Sequence, residues 1–300
     1  MNLFHSIVDR DADATEMAHQ LRDCGMLGRK LTKAMRKWRW VWPGADSLPL
    51  RWHVGHPNFG DDINPYFFQK LLGRPVRFVR QSEAHVLGIG SVLNASSPGS
   101  VVIGCGLLAP EMAPGHSVAR IVSVRGHLTA EAIGFDPGHY GDPAVLVARL
   151  FPRQQTAQFR LGVIPHHTRA AVFRRLIGRD TLFIDPAWHP LKVLDAITQC
   201  RGILSQSLHG LIIADAYGIP NGWLAPEEGM VGGEFKFADY YGTTRDPKRP
   251  LPTSSIGKLL DAKDLELFVS PYRFDLEGYQ SHLAREIVRE FGDADLRAVA

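Results

Sequence analysis

Gly202–Pro220 reads Gly-Ile-Leu-Ser-Gln-Ser-Leu-His-Gly-Leu-Ile-Ile-Ala-Asp-Ala-Tyr-Gly-Ile-Pro. Ile203 and Leu204 close a short buried strand, and the spacing of apolar residues then turns helical. Leu208, Leu211, Ile212 and Ala216 recur every three or four positions and predict one apolar helix face. Ser205 or Ser207 is positioned to cap that helix with its hydroxyl, while Gly218 and Pro220 stop it. His209 and Gly210 fall in the first turn, where unpartnered N–H groups and the positive end of the helix dipole favour an anion. Gly210 lets a ligand approach the backbone closely, and an imidazole there is costly to charge unless an anion is bound. The stretch reads as the strand–loop–helix anion site of an α/β fold. A capped helix with an incidental histidine is the plainer alternative.

The 300 residues are 45% apolar, enough for two domains of ordinary size. A net charge of +3 is too small and too dispersed to argue for a nucleic-acid partner. Cys24, Cys105 and Cys200 are far apart and form no CxxC, which fits a reducing compartment and speaks against zinc. The N-terminal residues lack the basic-then-apolar order of a signal peptide, and no apolar run approaches the ~20 residues of a membrane span. The expected location is therefore cytoplasmic. Residues 1–45 form an expected helical segment that becomes basic and aromatic, with Arg29, Lys30, Lys33, Arg36, Lys37 and Arg39 among Trp38, Trp40 and Trp42. Such a mixture suits a peripheral contact with the anionic inner face of a membrane. The alternative is a solvated helix whose tryptophans pack on the first domain.

Residues 46–154 make the expected first domain. Leu50–Val54 is its first strand, followed by a polar loop and a helix through Leu72. In that loop Asn58, Gly60, Asp61, Asp62 and Asn64 crowd carboxylates and amides where a strand hands over to a helix, the ligand edge of an open α/β sheet. They suit a sugar's hydroxyls, and Asp61 or Asp62 can take a hydroxyl proton. Helix capping accounts for one of the acids but not for both. His85–Ile89, Val101–Ile103 and Ile121–Val124 are further strands, the last two leading into Gly104-Cys-Gly106 and Arg125-Gly. Arg125 ends a buried strand either as a ligand clamp or as half of a structural ion pair. Phe151–Ala157 is the expected linker.

The pattern restarts over residues 155–270. Arg160–Ile164 delivers His166, His167 and Arg169 to the binding edge, Thr181–Ile184 delivers His189, and Asn221–Leu224 is a last strand. Lys236 lies among aromatics, as a surface charge or as a second cation facing the anion site. The histidines lack HxxxH spacing and a nearby carboxylate grouping, so no metal is expected. Within residues 271–300, Asp275–Phe291 predicts an amphipathic helix packing back across the domains.

Asn58-Phe-Gly-Asp-Asp, Gly104-Cys-Gly, Val124-Arg, Gly141-Asp-Pro, Ile164-Pro-His and Ser207-Leu-His-Gly…Gly218-Ile-Pro, in that order, resemble the polysaccharide pyruvyl transferases, most closely the bacterial exopolysaccharide ketal-pyruvate branch. The resemblance implies two Rossmann-like domains facing a cleft (GT-B-like), with the acceptor on the first and the donor on the second. It implies phosphoenolpyruvate as co-substrate, no cofactor, and a sugar of an exopolysaccharide or of its lipid-linked precursor as acceptor. His209 is then the expected acid or key donor-binding group, with His167 as the alternative acid, and Asp61 or Asp62 orients or deprotonates the acceptor. Donor contacts are expected from Ser205, Ser207, Leu208, Gly210, His166, Arg125, Arg169 and Lys236. Acceptor contacts are expected from Asn58, Gly60, Asn64, Gly104 and Gly106. In many relatives an arginine precedes Leu-His-Gly, where this chain has Ser207, so Lys236, Arg125, Arg169, His166 and His167 are candidates for the missing cation. Two other readings stand beside this one. A GT-B glycosyltransferase would need an acid to grip a ribose, for which Glu227, Glu228 and Glu234 are available, and a non-catalytic phosphosugar-binding protein of the same fold has the loss of the arginine at Ser207 as its support.

Overall fold

Short runs of valine, isoleucine and leucine build two parallel sheets. The first comprises β1 (Leu48–Arg51), β2 (Val76–Phe78), β3 (His85–Leu87), β4 (Ser100–Ile103) and β5 (Arg120–Ser123), in the order β2-β1-β3-β4-β5. The second comprises β6 (Phe159–Ile164), β7 (Thr181–Phe183), β8 (Cys200–Ser205) and β9 (Asn221–Trp223), in the order β7-β6-β8-β9. Every pairing in both is parallel. The second sheet repeats the order of the first without its last strand. Each therefore has a point where strand order reverses, between β1 and β3 and between β6 and β8, and ligands of open parallel sheets bind at such points. This computed structural model describes residues 36–38, 40, 41, 44, 46–118, 120–228, 230–262 and 265–292.

The connecting helices are α1 (Phe59–Asp62), α2 (Asn64–Leu72), α3 (His127–Ile133), α4 (Val147–Leu150), α5 (Ala170–Arg174), α6 (Pro190–Thr198), α7 (Leu208–Ala216), α8 (Phe235–Tyr241), α9 (Ile256–Asp261) and α10 (Leu276–Phe291). The α/β class follows the sequence reading. Of the elements that escaped it, two did so for a plain physical reason. β2 is three residues with one buried side chain, and α5 is five with one, so neither offers a period to detect.

Alternation along the strands sorts the core into layers. Val86, Val101 and Ile103 face a core that also holds Ile164, Ile203, Leu211 and Ile213. Their strand neighbours Leu87 and Val102 face a second cluster with Leu107 and Ala130. Leu161, Val163 and Leu204 face a third with Phe173 and Ile256. The two sheets thus share one central layer, into which α7 and the turn Pro143–Leu150 are packed. Phe59 N–H donates to Pro186 O (2.8 Å), Tyr66 Oη meets His189 Nε2 (2.9 Å), and Tyr217 Oη donates to Phe151 O (2.6 Å) across the same layer.

The position of α7 in that layer corrects two expectations. All of Leu208–Asp215 is buried, so the helix is covered around its circumference rather than along one apolar face, with His209 and Asp215 buried among its apolar residues. Ser207 holds the N-cap position but its hydroxyl caps nothing. Ser205 Oγ instead accepts from Ser207 N–H (3.0 Å) and donates to Ser207 O (2.8 Å), closing a local turn. The helix ends as expected: Gly218 takes φ +68, and Ile219 N–H reaches back to Ala214 O (2.9 Å).

Most of the basic and aromatic segment lies outside the described residues. At its end Trp40 packs edge-on against Trp52 (6.2 Å) and Tyr66 (5.4 Å), and Arg36 pairs with Asp62. Trp40 therefore takes the packed alternative, whereas Trp38 is 71% exposed. Among the described residues no helix is long and apolar enough to cross a membrane. α10 is amphipathic as expected, capped by Asp275, whose carboxylate accepts from Gly278 N–H (2.6 Å). Tyr279, Leu283 and Ile287 are its buried face, and Arg120 and Arg149 of the first half hold Glu286 and Gln280.

Candidate active site

The residues that follow strands at both reversal points meet in one cleft of about 680 Å³. His53, Asn58 and Asp61 come from the chain after β1, and Ser91 and Val92 from that after β3. His166, His167 and Arg169 follow β6, while Ser207, Leu208 and His209 follow β8. Glu227, Glu228 and Lys236 close the far side.

His209 occupies the second position of α7, 8% exposed. No side chain caps this turn, so helix geometry leaves the N–H groups of Leu208, His209 and Gly210 without an intrahelical acceptor. The imidazole crosses to the first-sheet side. Its Nδ1 lies so close over Gly60 that a Cβ on that residue would fall 2.0 Å from it. Glycine at position 60 thus makes room for His209 rather than for an acceptor. Asp61 reaches the same point. A Cβ on Gly90, whose φ is +111, would lie 3.0 Å from Asp61 Oδ1 and 3.8 Å from His209 Cε1. Asp61 is 9% exposed, and burial raises its carboxyl above the usual range against the opposing influence of His209, His53, Arg36 and Lys236. Asn58 Nδ2 donates to Asp61 Oδ2 (3.1 Å) and aims it.

Behind His209 stands Asp142, which is fully buried. One oxygen accepts from Ala144 N–H (3.0 Å), capping the turn Pro143–Leu146. The other, Oδ2, has no hydrogen-bond partner and faces His209 Nε2 at 3.8 Å, an atom that also lacks one. Two buried polar atoms aimed at each other across a gap slightly too long for a hydrogen bond are unusual. The sequence reading missed this pairing, because Gly141-Asp-Pro entered it only as one motif of the family resemblance.

Two cations reach the cleft on the second-sheet side. Arg169 is held by Glu227 (Nε–Oε1 2.8 Å). Lys236 has no carboxylate within ion-pair distance among the described residues, its nearest charged influences being Arg125 and Asp61. Burial, and then Arg125, bring its ammonium down to about 8. His166 and His167 also line the cleft, with His167 against His166 (4.1 Å) and stacked on His56 (5.4 Å). Burial pushes His166 down to about 4, helped by His167 and Lys236. Among the described residues no group of three or more His, Cys, Asp or Glu is arranged to hold a metal.

Several residues singled out in the sequence stand behind the cleft wall instead. Asp62 is taken by Arg36 and by Asn58 N–H (3.2 Å). Asn64 spends its amide on Asp61 O and on both backbone groups of Ile89, all at 2.9 Å. Ser205 is fully buried in its local turn, and Gly210 gives that hydroxyl room, since a Cβ there would lie 2.4 Å from Ser205 Oγ. Gly104, at φ +81, lets Gly141 O approach, and Gly106 makes space for the Arg125 guanidinium. Arg125 itself is 0% exposed and is the ion-pair alternative, not a clamp. It donates to Asp239 Oδ2 (2.9 Å), Leu107 O (2.6 Å) and Ser91 Oγ (2.7 Å), and Ser91 alone of these lines the cleft.

The chain belongs to the polysaccharide pyruvyl transferases, whose family model covers residues 114–228, and it is accordingly a transferase. It is 33% identical over 223 residues to the succinoglycan biosynthesis protein ExoV of Rhizobium meliloti, covering 69% of this chain and 68% of that one. It is 27% identical over 220 residues to an uncharacterized protein of Acanthamoeba polyphaga mimivirus, covering 67% and 76% respectively. The matched stretch 114–228 contains Asp142, His166 and His209 but neither Asp61 nor Lys236.

Proposed function

We propose that this transferase moves the pyruvyl group of phosphoenolpyruvate onto two hydroxyls of one sugar, in an exopolysaccharide or its lipid-linked precursor, forming a cyclic ketal. The cleft would work in the GT-B manner, with the acceptor on the first-sheet side and the donor on the second. The observation that carries this reading is the uncapped start of α7, with His209 over Gly60 beside Asp61 and an unpaired Lys236 opposite. Phosphoenolpyruvate brings a phosphate and a carboxylate, and free N–H groups with a buried ammonium are what two anionic groups need.

In the reaction, His209 protonates the methylene carbon of the donor, leaving C2 electrophilic. Asp142 faces Nε2, so Nδ1 is the ring nitrogen left to give and regain the proton. One sugar hydroxyl adds to C2 as Asp61 takes its proton. The C2–O bond to phosphate then breaks, and a second hydroxyl closes the ketal. Of the two hydroxyl protons, one ends on the new methyl group and the other leaves on phosphate. The balance requires no cofactor. A lipid-linked acceptor would bring the enzyme to the inner face of the membrane from the cytoplasm.

The test is acceptor-dependent phosphate release from phosphoenolpyruvate, with mass spectrometry of the sugar product, in wild type and His209→Ala. We expect a pyruvylated sugar and a fall in kcat of at least ~100-fold in the variant. Turnover of a nucleotide sugar in place of phosphoenolpyruvate would overturn the proposal.

A further inference from the structure

Arg169 and Glu227 face each other across the second-sheet side of the cleft, Nε 2.8 Å from Oε1. That is a hydrogen-bonding distance, yet both atoms are sheltered from solvent and neither is hydrogen-bonded, so the N–H is not aligned on the oxygen. Among the described residues the Arg169 side chain donates to no acceptor and the Glu227 carboxylate accepts from no donor. A guanidinium carries five N–H groups in a planar fork that matches two oxygens of a phosphate or carboxylate. Here the fork has a charge opposite it and no bond to show for it.

The two side chains are held beside the start of α7 by one residue. β6 and β8 are neighbours, with Ile164 opposite Ser205, so the turn carrying Arg169 and the start of α7 leave the sheet side by side. Between them Gln206, 2% exposed, accepts from His166 N–H through Oε1 (3.1 Å) and donates to Ala225 O through Nε2 (3.2 Å). The first bond fixes the turn three residues before Arg169, and the second fixes the chain two residues before Glu227. Beyond that anchor Glu227 can turn outward about its own side-chain torsions. With 37% and 29% of the two side chains exposed, the ion pair is weak enough for a multiply charged ligand to displace the glutamate.

We infer that Arg169 grips an oxyanion of the donor and that Glu227 is its resident counter-ion, standing where that oxyanion binds and turning aside as it arrives. The inference rests on the proposed reading of the cleft, in which phosphoenolpyruvate offers two such groups, its phosphate and its carboxylate. Glu227 would then set the affinity for the donor without touching it, by competing for the guanidinium.

Calorimetry on the whole chain with phosphoenolpyruvate, inorganic phosphate and pyruvate tests this without turnover. We expect Glu227→Gln to bind phosphoenolpyruvate about threefold tighter than wild type, a gain that a misfolded variant cannot imitate. Glu228→Gln removes the same charge from an exposed residue of the same cleft and should change binding by less than about twofold. Arg169→Gln should bind about tenfold more weakly, and Arg169→Lys, which restores the charge without the fork, should recover part of that loss. Inorganic phosphate repeating the pattern assigns the guanidinium to the phosphate, and pyruvate alone repeating it assigns the guanidinium to the carboxylate. The pattern with inorganic phosphate supports the counter-ion even if phosphoenolpyruvate proves not to be the donor. Weaker binding in Glu227→Gln would make the glutamate a prop for Arg169 and overturn the inference. Equal tightening in Glu228→Gln would report only the general field of the cleft and overturn it too. So would binding of all three anions that is unchanged in Arg169→Gln.

Discussion

Two buried pairs of opposite character stand on either side of this cleft, and they are built differently. Arg125 and Asp239 are saturated. The guanidinium donates to the carboxylate, to Leu107 O and to Ser91 Oγ, while Asp239 also accepts from Thr129 N–H (2.9 Å) and Oγ1 (2.6 Å). His209 and Asp142 are left open, 3.8 Å apart with the facing atoms unbonded. Burying a polar group without a partner costs stability, so the second arrangement is not one that packing alone selects. The saturated pair is scaffold: it ties α3 and the end of β5 to α8, which carries Lys236. In the proposed reaction the open pair is the machinery, which a bound substrate or a proton moving on the ring would complete. On that proposal the degree of saturation separates structure from chemistry better than burial does.

The largest effect follows from breaking the saturated pair. Arg125→Met leaves Asp239 charged and buried, a situation that costs about 3–5 kcal/mol. Denaturant unfolding should show the loss. The double variant Arg125→Met/Asp239→Leu should recover much of it, because removing both charges also removes the unpaired one. An unshifted midpoint in the single variant would mean that the pair does not tie the helix to the sheet.

Next is the open pair. In Asp142→Asn the carboxamide oxygen can keep the Ala144 cap, so the turn Pro143–Leu146 should hold. Its NH2 then faces Nε2 and donates to it, which forces the ring into the tautomer with the proton on Nδ1 and removes the charge that steadies an imidazolium. We expect kcat to fall about 10- to 100-fold with KM for phosphoenolpyruvate within about twofold, and the imidazole 15N spectrum to show the exchanged tautomer. A matched loss in kcat and thermal stability, with the tautomer unchanged, would make Asp142 a cap and nothing more.

How much of this was legible in the sequence depended on whether a residue's use is local. Strand, loop and helix around His209 were readable because their signals lie within twenty residues of one another. The short apolar runs His85–Ile89 and Val101–Ile103 were readable as strands for the same reason. What the polar residues do was not readable where the partner is far away in the chain. Asp61 and Asp62 are neighbours of identical chemistry, yet one faces the cleft and the other is consumed by Arg36. Asn64, Gly104 and Gly106 carry the composition of a binding loop and serve the backbone of Ile89, the carbonyl of Gly141 and the guanidinium of Arg125. Arg125 itself could not be resolved between clamp and ion pair, because Asp239 lies 114 residues on. Asp142 shows the reverse case: its capping oxygen is a local signal that hides the distant partner of the other.

Lys236 lies between the two pairs, on the helix that the saturated pair holds and across from the acid of the open one, so it gives the subtlest test of the comparison. Burial keeps its ammonium near 8, below the ordinary lysine range. It is therefore charged below pH 8 and neutral above, and kcat/KM for phosphoenolpyruvate should be flat from about pH 6 to 7 and fall toward tenfold per unit past 8. Stability must move the other way. Between about 8 and the usual 10.4 of an unfolded lysine, the unfolded chain binds a proton that the folded one has released, so stability rises with pH through that window. Lys236→Met should lower kcat/KM at neutral pH, flatten this alkaline limb and abolish the accompanying rise in stability. Lys236→Arg should hold the charge and carry the activity plateau beyond pH 9. A limb that persists unchanged in Lys236→Met would belong to another group, and would return Lys236 to the scaffold alongside Arg125.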